Sequence, residues 1–249
     1  MNYRSNLEAP DLALDFPHMS YARMPHAFGH GVPHDWADKR DDDPKFGLWK
    51  RCGSWTADER AILFNVARSI ADTVAFHDAQ SRWLDIGCNT GLTSVTINAA
   101  TNRVVDCVDY ILADPEFRER FALNTKFPRQ WMMPVKSDAF FANVSPGPIY
   151  HGVVIDGDHD APQPLRDAVN TEQRLKTPGV ILLHDFIGRP VRDAVEYLMM
   201  AGFNARIYLT PHMIACCWRG EWTPPDHTPD PNLPDLRARC LWFPWERTV

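Results

Sequence analysis

The chain has 249 residues, with 26 Lys and Arg against 32 Asp and Glu, which gives a formal net charge of −6. This length suits one α/β domain with a terminal extension, and the acidic balance gives no broad electrostatic support for a nucleic-acid substrate. No apolar stretch approaches the ~20 residues that span a bilayer, and the amino terminus lacks a signal-peptide core, so we expect a cytoplasmic protein without membrane contact.

Residues 1–53 are rich in Pro, His, Asp and aromatic residues and show no sustained periodicity. This composition predicts an irregular arm that lies over the domain or acts as a lid. The run Thr56-Ala-Asp-Glu59 then predicts a capping box at the start of a helix that reaches about Phe76. Five apolar residues share one face of this predicted helix: Ile62, Leu63, Val66, Ile70 and Val74.

Residues 82–91 predict a buried strand, a glycine turn and the start of a helix. Asp85 lies near the end of the strand, and Gly87 and Gly91 let the backbone bend sharply and approach a ligand closely. Asn89 stands where a dinucleotide-binding fingerprint has its middle glycine, which argues against a pyrophosphate on the turn. The turn therefore favours a nucleoside without phosphates.

Residues 103–108 predict a second strand that ends at Asp109. In doubly wound sheets an acid at this position accepts hydrogen bonds from ribose hydroxyls, so Asp109 is a candidate cofactor ligand. Residues 131–136 predict a third strand, and Asp138 follows it. A helix N-cap is one role for Asp138.

Residues 152–155 predict a fourth strand that runs into Asp156-Gly-Asp-His159. A helix over residues 162–176, a break at Pro178-Gly179 and an apolar strand over residues 180–183 lead to His184 and Asp185. Because the carboxyl ends of neighbouring parallel strands meet at one edge, Asp156 and Asp185 are expected to share a divalent cation, with His184 as a third ligand. Oxygen ligands suit magnesium, and a nitrogen ligand shifts the preference towards manganese, iron or zinc. Either Asp taken singly also suits a helix cap or an ion pair.

Residues 190–201 predict a helix, and residues 204–209 and 212–218 predict an antiparallel hairpin. Cys216 and Cys217 are adjacent on its second strand and should point to opposite faces, which argues against a structural disulfide. Residues 221–249 are rich in proline and end in an aromatic cluster. We expect this tail to pack on the domain or on a second subunit of a homo-oligomer.

Two motifs carry a resemblance to a known family: Asp85-x-Gly87-x-x-x-Gly91 and Asp156-Gly-Asp-His159, the latter followed by Leu-Leu-His184-Asp185. They resemble the class I S-adenosylmethionine-dependent methyltransferases. The similarity covers about residues 54–220 and is strongest to a branch of small-molecule O-methyltransferases. That branch includes metal-dependent enzymes that methylate macrolide sugars and relatives described as cephalosporin hydroxylases. The resemblance implies a Rossmann-like, doubly wound sheet of seven strands, mostly parallel with an antiparallel carboxyl-terminal hairpin.

The resemblance also implies roles for individual residues. S-adenosylmethionine would bind at the first turn and at Asp109, with Asp138 at the adenine amino group. The metal would bind at Asp156, His184 and Asp185, although this pair on the fifth strand is usually acidic in the sugar enzymes. His159, which closes the fourth-strand motif, would be the general base.

We therefore expect methyl transfer to a hydroxyl of a small polar acceptor, assisted by a divalent metal and a histidine base. Two alternatives remain. One is a metal-dependent hydroxylase or other oxidative enzyme on the same fold, with iron on Asp156, His184 and Asp185. The other is a non-catalytic module that binds the cofactor.

Overall fold

The computed structural model describes residues 6–10, 55–73, 81–231, 233, 235–240 and 242–248. Apart from residues 6–10, the predicted amino-terminal arm lies outside these ranges. The end of the first predicted helix, with Val74, lies outside them as well.

In the described part of the chain, seven strands form one sheet in the order β3-β2-β1-β4-β5-β7-β6. The strands are β1 (Arg82–Ile86), β2 (Val104–Val108), β3 (Met132–Met133), β4 (Tyr150–Ile155), β5 (Leu175–Leu183), β6 (Asn204–Tyr208) and β7 (Ile214–Arg219). The first five strands are parallel, and β7 runs antiparallel to both β5 and β6. This topology confirms the predicted fold class. The strand order reverses between β1 and β4, which is where open α/β sheets bind their ligands.

Six α-helices within the described residues cover the two faces of the sheet. They are α1 (Ala57–Thr73), α2 (Leu92–Thr101), α3 (Pro115–Thr125), α4 (Ser137–Asn143), α5 (Gln163–Glu172) and α6 (Arg189–Met200). None of these helices has the length and hydropathy needed to cross a bilayer.

The core consists of two apolar clusters, one on each face of the sheet. Cys217 lies in the cluster beneath α4, α5 and α6, and Cys216 lies in the cluster beneath α1, α2 and α3. Successive side chains of a strand point to opposite faces, and this alternation confirms the prediction for the two cysteines. The carboxyl-terminal segment reaches the first of these clusters through Phe243, whose ring packs edge to face on Phe186 at 4.7 Å. Its neighbour Trp242 is 96 % exposed.

Two predicted element boundaries are wrong. The helix expected over residues 162–176 ends at Glu172, and β5 begins at Leu175, before the predicted break at Pro178. An irregularity in the β4–β5 register accommodates the proline, because Leu175 pairs with Tyr150 but the next pair is Val180 with Gly152. The third strand is also shorter than predicted, since residues 129–131 form a 3₁₀ turn and only Met132–Met133 pair with β2.

Candidate active site

The turn between β1 and α2 is packed closely against neighbouring backbone. Gly87 has φ +83°, and a Cβ at this position would lie 2.1 Å from the main-chain oxygen of Asp156. Gly91 has φ +95°, and a Cβ there would lie 2.3 Å from Cγ2 of Thr125 on α3. Only glycine tolerates both the backbone angle and the contact. Both glycines are therefore required by packing within the protein, independently of any ligand.

Replacing Gly87 by alanine is expected to destabilise the protein by about 2–5 kcal/mol, because overpacking against backbone adds to the cost of a left-handed conformation. Chemical denaturation of the ligand-free protein measures this loss. Gly157→Ala is the matched control, since its Cβ would meet its nearest neighbour, Cγ2 of Ile86, at an ordinary 3.4 Å. Equal losses for the two variants would show that the approach of Asp156 to Gly87 is unimportant.

Asp109 ties the turn to the end of β2. Its Oδ2 accepts a hydrogen bond from the backbone N–H of Asn89 at 2.9 Å, and its Oδ1 accepts one from Ile111 at 3.0 Å. Asn89 has φ +45°, a left-handed conformation that asparagine adopts more readily than most residues. Burial raises the pKa of Asp109 above its ordinary value. Asp109 thus lies where the sequence predicts, beside the turn.

Asp85 lies beneath the turn and is completely buried. The hydroxyls of Thr93 and Ser94, in the first turn of α2, both donate to its Oδ2, at 2.6 and 2.5 Å. Its Oδ1 has no hydrogen-bond partner in the described part of the chain, and neither has the side-chain oxygen of Asn89. Two orphaned acceptors at this turn fit the ammonium group of an amino-acid moiety.

Burial raises the pKa of Asp85 to about 7, although the two hydroxyls oppose the shift. An aspartate in the unfolded chain titrates near 3.8. The folded, ligand-free protein therefore binds this proton more tightly, and its stability should fall as the pH rises from about 4 to about 7. Asp85→Asn should remove this dependence and stabilise the ligand-free protein near pH 8 by on the order of a few kcal/mol. Denaturation curves from pH 5 to 8 test this, and parallel pH profiles for the two proteins would contradict it.

Asp156 and Asp185 follow the adjacent ends of β4 and β5, and the imidazole of His184 lies between them. His184 Nδ1 is 3.1 Å from Asp156 Oδ1 and 3.4 Å from Asp185 Oδ2. One ligand atom from each of these three residues lies within 4.8 Å of the others. Asp185 has φ +56°, a left-handed conformation that aspartate adopts more readily than most residues with a side chain.

His159 completes this group, which we call the strand-end cluster: Asp156, His159, His184 and Asp185. His159 Nε2 lies 3.4 Å from Asp156 Oδ1, and its Nδ1 lies 3.4 Å from Asp185 Oδ2. Its side chain is 38 % exposed, whereas that of His184 is fully buried. His159 is therefore the histidine of the cluster that solvent or an acceptor can reach.

Opposite charges dominate the protonation of the cluster. Burial by itself lowers the pKa of His184, but Asp156 and Asp185 outweigh it and raise that pKa well above 6.5. Burial likewise lowers the pKa of His159, and the nearby carboxylates of Asp156 and Asp185 raise it overall. The pKa values of both aspartates are lowered in spite of their burial, chiefly by the charge of His184. Without a metal, the carboxylates and the imidazoles thus favour the ionised forms of one another.

The donor set fits a divalent cation. Two carboxylate oxygens and one imidazole nitrogen converge on one region, and such mixed ligands suit magnesium or, through the nitrogen, manganese, iron or zinc. A neutral His184 that carries its proton on Nε2 would direct the lone pair of Nδ1 at two carboxylates, which is unfavourable unless a cation lies between them.

Three further residues brace the cluster, and we call them the bracing residues: Trp55, Glu59 and His212. The indole N–H of Trp55 donates to Asp156 Oδ2 at 2.7 Å, and its ring stacks on His184 with centroids 4.4 Å apart and planes inclined by 16°.

The predicted capping box is confirmed, since Thr56 N–H donates to Glu59 Oε2 at 2.7 Å and Glu59 N–H donates to Thr56 Oγ1 at 3.2 Å.

Glu59 is completely buried and also contacts the segment before β7. Its Oε1 accepts bonds from the backbone N–H and from Nδ1 of His212, both at 3.1 Å. Burial by itself raises the pKa of Glu59, but His212 and His184 lower it well below 4.5 overall. The capping motif identifies Glu59 as a capping residue in the sequence. A capping glutamate is ordinarily solvated, so no local pattern predicts that Glu59 also contacts the histidines of the site.

Asp138 lies in the first turn of α4, where Lys136 is the N-cap, so the helix-cap interpretation of Asp138 is wrong. Its half-exposed carboxylate accepts hydrogen bonds from Gln163 Nε2 at 3.3 Å and from Arg166 Nη1 at 3.4 Å. Its proposed contact with adenine stays a prediction.

Residues 84–186 match the model of a family described as a methyltransferase domain. Together with the sheet topology, this match identifies the fold as that of the class I S-adenosylmethionine-dependent methyltransferases. No curated protein sequence matches the chain.

Several solved structures are similar to this chain at low sequence identity. Rv0187 from MTB, solved with its cofactor bound, is 15 % identical with a TM-score of 0.52, over 68 % of this chain and 83 % of that one. A precorrin-6y C5,15-methyltransferase from Geobacter metallireducens GS-15 is 17 % identical over 66 % of this chain and 88 % of that one, with a TM-score of 0.48. A putative caffeoyl-CoA O-methyltransferase from Staphylococcus aureus is 15 % identical over 63 % of this chain and 82 % of that one, also with a TM-score of 0.48. At these identities the likeness concerns the fold alone.

Proposed function

We propose that the protein transfers a methyl group from S-adenosylmethionine to a hydroxyl oxygen of a small polar acceptor. The observation that carries this proposal is the position of the strand-end cluster directly beside the cofactor turn. The N–H of Asp156 donates to the carbonyl of Ile86 at 2.8 Å, and the carbonyl of Asp156 faces Gly87. Groups that bind and deprotonate an acceptor would thus adjoin the methyl donor.

The cofactor would lie on the turn that contains Gly87 and Gly91, with Asp85 beneath it, Asp109 at the ribose and Asp138 at the adenine. When bound, S-adenosylmethionine supplies a methyl group activated by a sulfonium leaving group. The work left to the protein is to align acceptor, methyl carbon and sulfur and to remove the acceptor proton.

A divalent cation would be held by Asp156, Asp185 and Nδ1 of His184. A cation held there would supply Lewis-acid chemistry, since it would bind the acceptor hydroxyl and lower the pKa of that hydroxyl. Oxygen ligands outnumber nitrogen in this set, which favours magnesium, with manganese, iron and zinc as alternatives.

His159 is the proposed general base. In the metal-free protein its two carboxylate neighbours raise its pKa. A cation bound to those carboxylates would offset their negative charge and would shift the pKa of His159 back towards the neutral range suited to proton transfer. Its partial exposure gives it access to an acceptor, in contrast to the fully buried His184.

A second candidate function is metal-dependent oxidation. The strand-end cluster holds two histidines and two carboxylates within a few ångströms, and iron oxygenases use two histidines and one carboxylate. Oxygen consumption by the iron-loaded protein, with no methyl transfer under any metal, would favour this function over the first.

Three measurements on the purified protein test the proposed function. Mass spectrometry should detect bound S-adenosylmethionine or its demethylated product, and calorimetry should give the affinity for added S-adenosylmethionine. Transfer of labelled methyl groups to a panel of hydroxylated sugars and phenols, with Mg²⁺ or Mn²⁺ present, should identify an acceptor. Absence of any S-adenosylmethionine binding would refute the proposal, and binding without transfer to any acceptor would favour the non-catalytic module.

Asp109→Ala should weaken S-adenosylmethionine binding by about 10-fold to about 150-fold, since hydrogen bonds to a charged acceptor contribute about 1.5–3 kcal/mol. Calorimetry measures the change. Asp193→Ala, which removes an exposed acid on α6, is the control and should bind like the parent. An unchanged affinity in Asp109→Ala would remove this residue from the cofactor site.

A further inference from the structure

We propose that Glu59 is a positioning residue for the metal site. In this proposal Glu59 holds His184 in the tautomer that carries its proton on Nε2 and leaves Nδ1 free to bind the cation. The proposal rests on the metal site described under the proposed function, and it assigns a task to a residue outside the ligand set.

The carboxylate of Glu59 is fixed from two sides. Thr56 N–H donates to Oε2, and the backbone N–H and the Nδ1 of His212 donate to Oε1. These donors come from the start of α1 and from the segment before β7. The carboxylate therefore stays an acceptor with a defined orientation.

Oε2 of this carboxylate faces Nε2 of His184 at 3.6 Å. Nε2 is buried and has no hydrogen-bond partner within the described residues. A proton on Nε2 would be attracted to the carboxylate, whereas a lone pair there would be repelled by it. With a cation on the Nδ1 side of the ring, the approach of Glu59 thus selects the Nε2–H tautomer.

The other ring nitrogen then presents its lone pair to the metal region. Nδ1 faces Asp156 Oδ1 and Asp185 Oδ2, at 3.1 and 3.4 Å. The stacked indole of Trp55 covers one face of the ring and resists a ring flip, which would put carbon atoms in the places of Nδ1 and Nε2. Histidines that bind metals in proteins commonly donate the other ring N–H to a carboxylate, which fixes the tautomer and strengthens the ligand.

The second group of three potential ligands in the described residues, Glu59, His184 and His212, supports this assignment rather than a second metal site. Glu59 already accepts three N–H bonds, two of them from His212. A cation there would have to displace these bonds. Glu59 therefore acts as an acceptor for the histidines.

The test compares Mn²⁺ binding to the full chain and its variants by calorimetry. Glu59→Gln should lose about 10-fold to 100-fold in Mn²⁺ affinity, because its amide donates towards Nε2 and favours the wrong tautomer. Thr56→Ala is the matched control, since it removes the hydroxyl of the capping box and leaves Glu59 in place, and it should bind Mn²⁺ within about twofold of the parent. If the parent binds Mn²⁺ and Glu59→Gln binds it with the same affinity, the proposed role of Glu59 is overturned, while the metal site itself stands.

A measurement on the parent protein keeps the proposal testable if Glu59→Gln fails to fold. In ¹⁵N-histidine-labelled protein loaded with Mg²⁺ or Zn²⁺, the ring nitrogens of His184 should show a proton on Nε2 and none on Nδ1. The resonances of His184 are assigned as those that disappear from the spectrum of His184→Gln. A proton on Nδ1 would overturn the proposal, and failure of the parent to bind any of the three cations would overturn the metal site together with it.

Discussion

Replacing Asp156 or Asp185 by asparagine is expected to lower methyl transfer by at least about 10³-fold, since a bound cation contributes several kcal/mol to the transition state. The affinity for S-adenosylmethionine should stay within about twofold, because the cation serves the acceptor and the nucleoside binds at the turn. Turnover and calorimetry on the same preparations separate the two effects. Bound metal, measured by elemental analysis, should fall together with activity.

Asp158→Asn is the matched control for these variants. Asp158 lies between two cluster residues in the sequence, but its side chain is exposed, and its carboxylate caps a local turn by accepting the N–H of Asp160. This variant should retain metal and activity. Removal of metal with a chelator should abolish turnover of the parent, and added Mg²⁺ or Mn²⁺ should restore it. Full activity of the parent in excess chelator would show that no metal is needed, and both aspartates would then have structural or acceptor-binding roles.

His159→Ala is expected to lower turnover by about 10²–10⁴-fold, which is the usual contribution of a general base. Only the neutral imidazole accepts a proton, so turnover of the parent should rise with pH through the pKa of His159. The variant should lose this acidic limb of its pH–rate profile. Metal and cofactor should remain bound, because the three proposed metal ligands are intact.

His184→Ala provides the comparison for the base. His184 is fully buried and is expected to act through the cation, so its loss should remove metal and activity together. The two roles would have to be exchanged if His159→Ala is nearly as active as the parent while His184→Ala is inactive and keeps its metal. Loss of metal in His159→Ala would instead make His159 a fourth ligand.

The parallel sheet and its functional edge followed from local patterns in the sequence. Apolar runs that end in Asp85, Asp109, Asp156 and Asp185 predict strand ends, and the topology of such sheets brings those ends together. The approach of Asp156 to Asp185 was therefore predictable without knowledge of any side-chain contact. The start of β5 was harder to predict from the sequence, because Pro178 suggests a break in the strand. An irregularity in the pairing with β4 accommodates this proline, and no local pattern predicts that irregularity.

The bracing residues could not be found in this way. Glu59 and His212 are 153 positions apart in the sequence, and Trp55 lies 101 positions from Asp156. Such contacts depend on how α1 and the β6–β7 hairpin pack against the rest of the domain, and no short sequence motif predicts that packing. The sharp bend predicted at Gly87 is present, with φ +83°, and the sequence did not predict the additional crowding by the backbone of Asp156.

The bracing residues all lie outside residues 84–186, the segment that matches the methyltransferase domain family, whereas the strand-end cluster lies entirely within it. Related domains that share the cluster can therefore surround it with different partners, since those partners come from separate parts of the chain. Substitutions at the start of the first helix or before the last strand would then change the partners of His184 and leave the three proposed ligands in place.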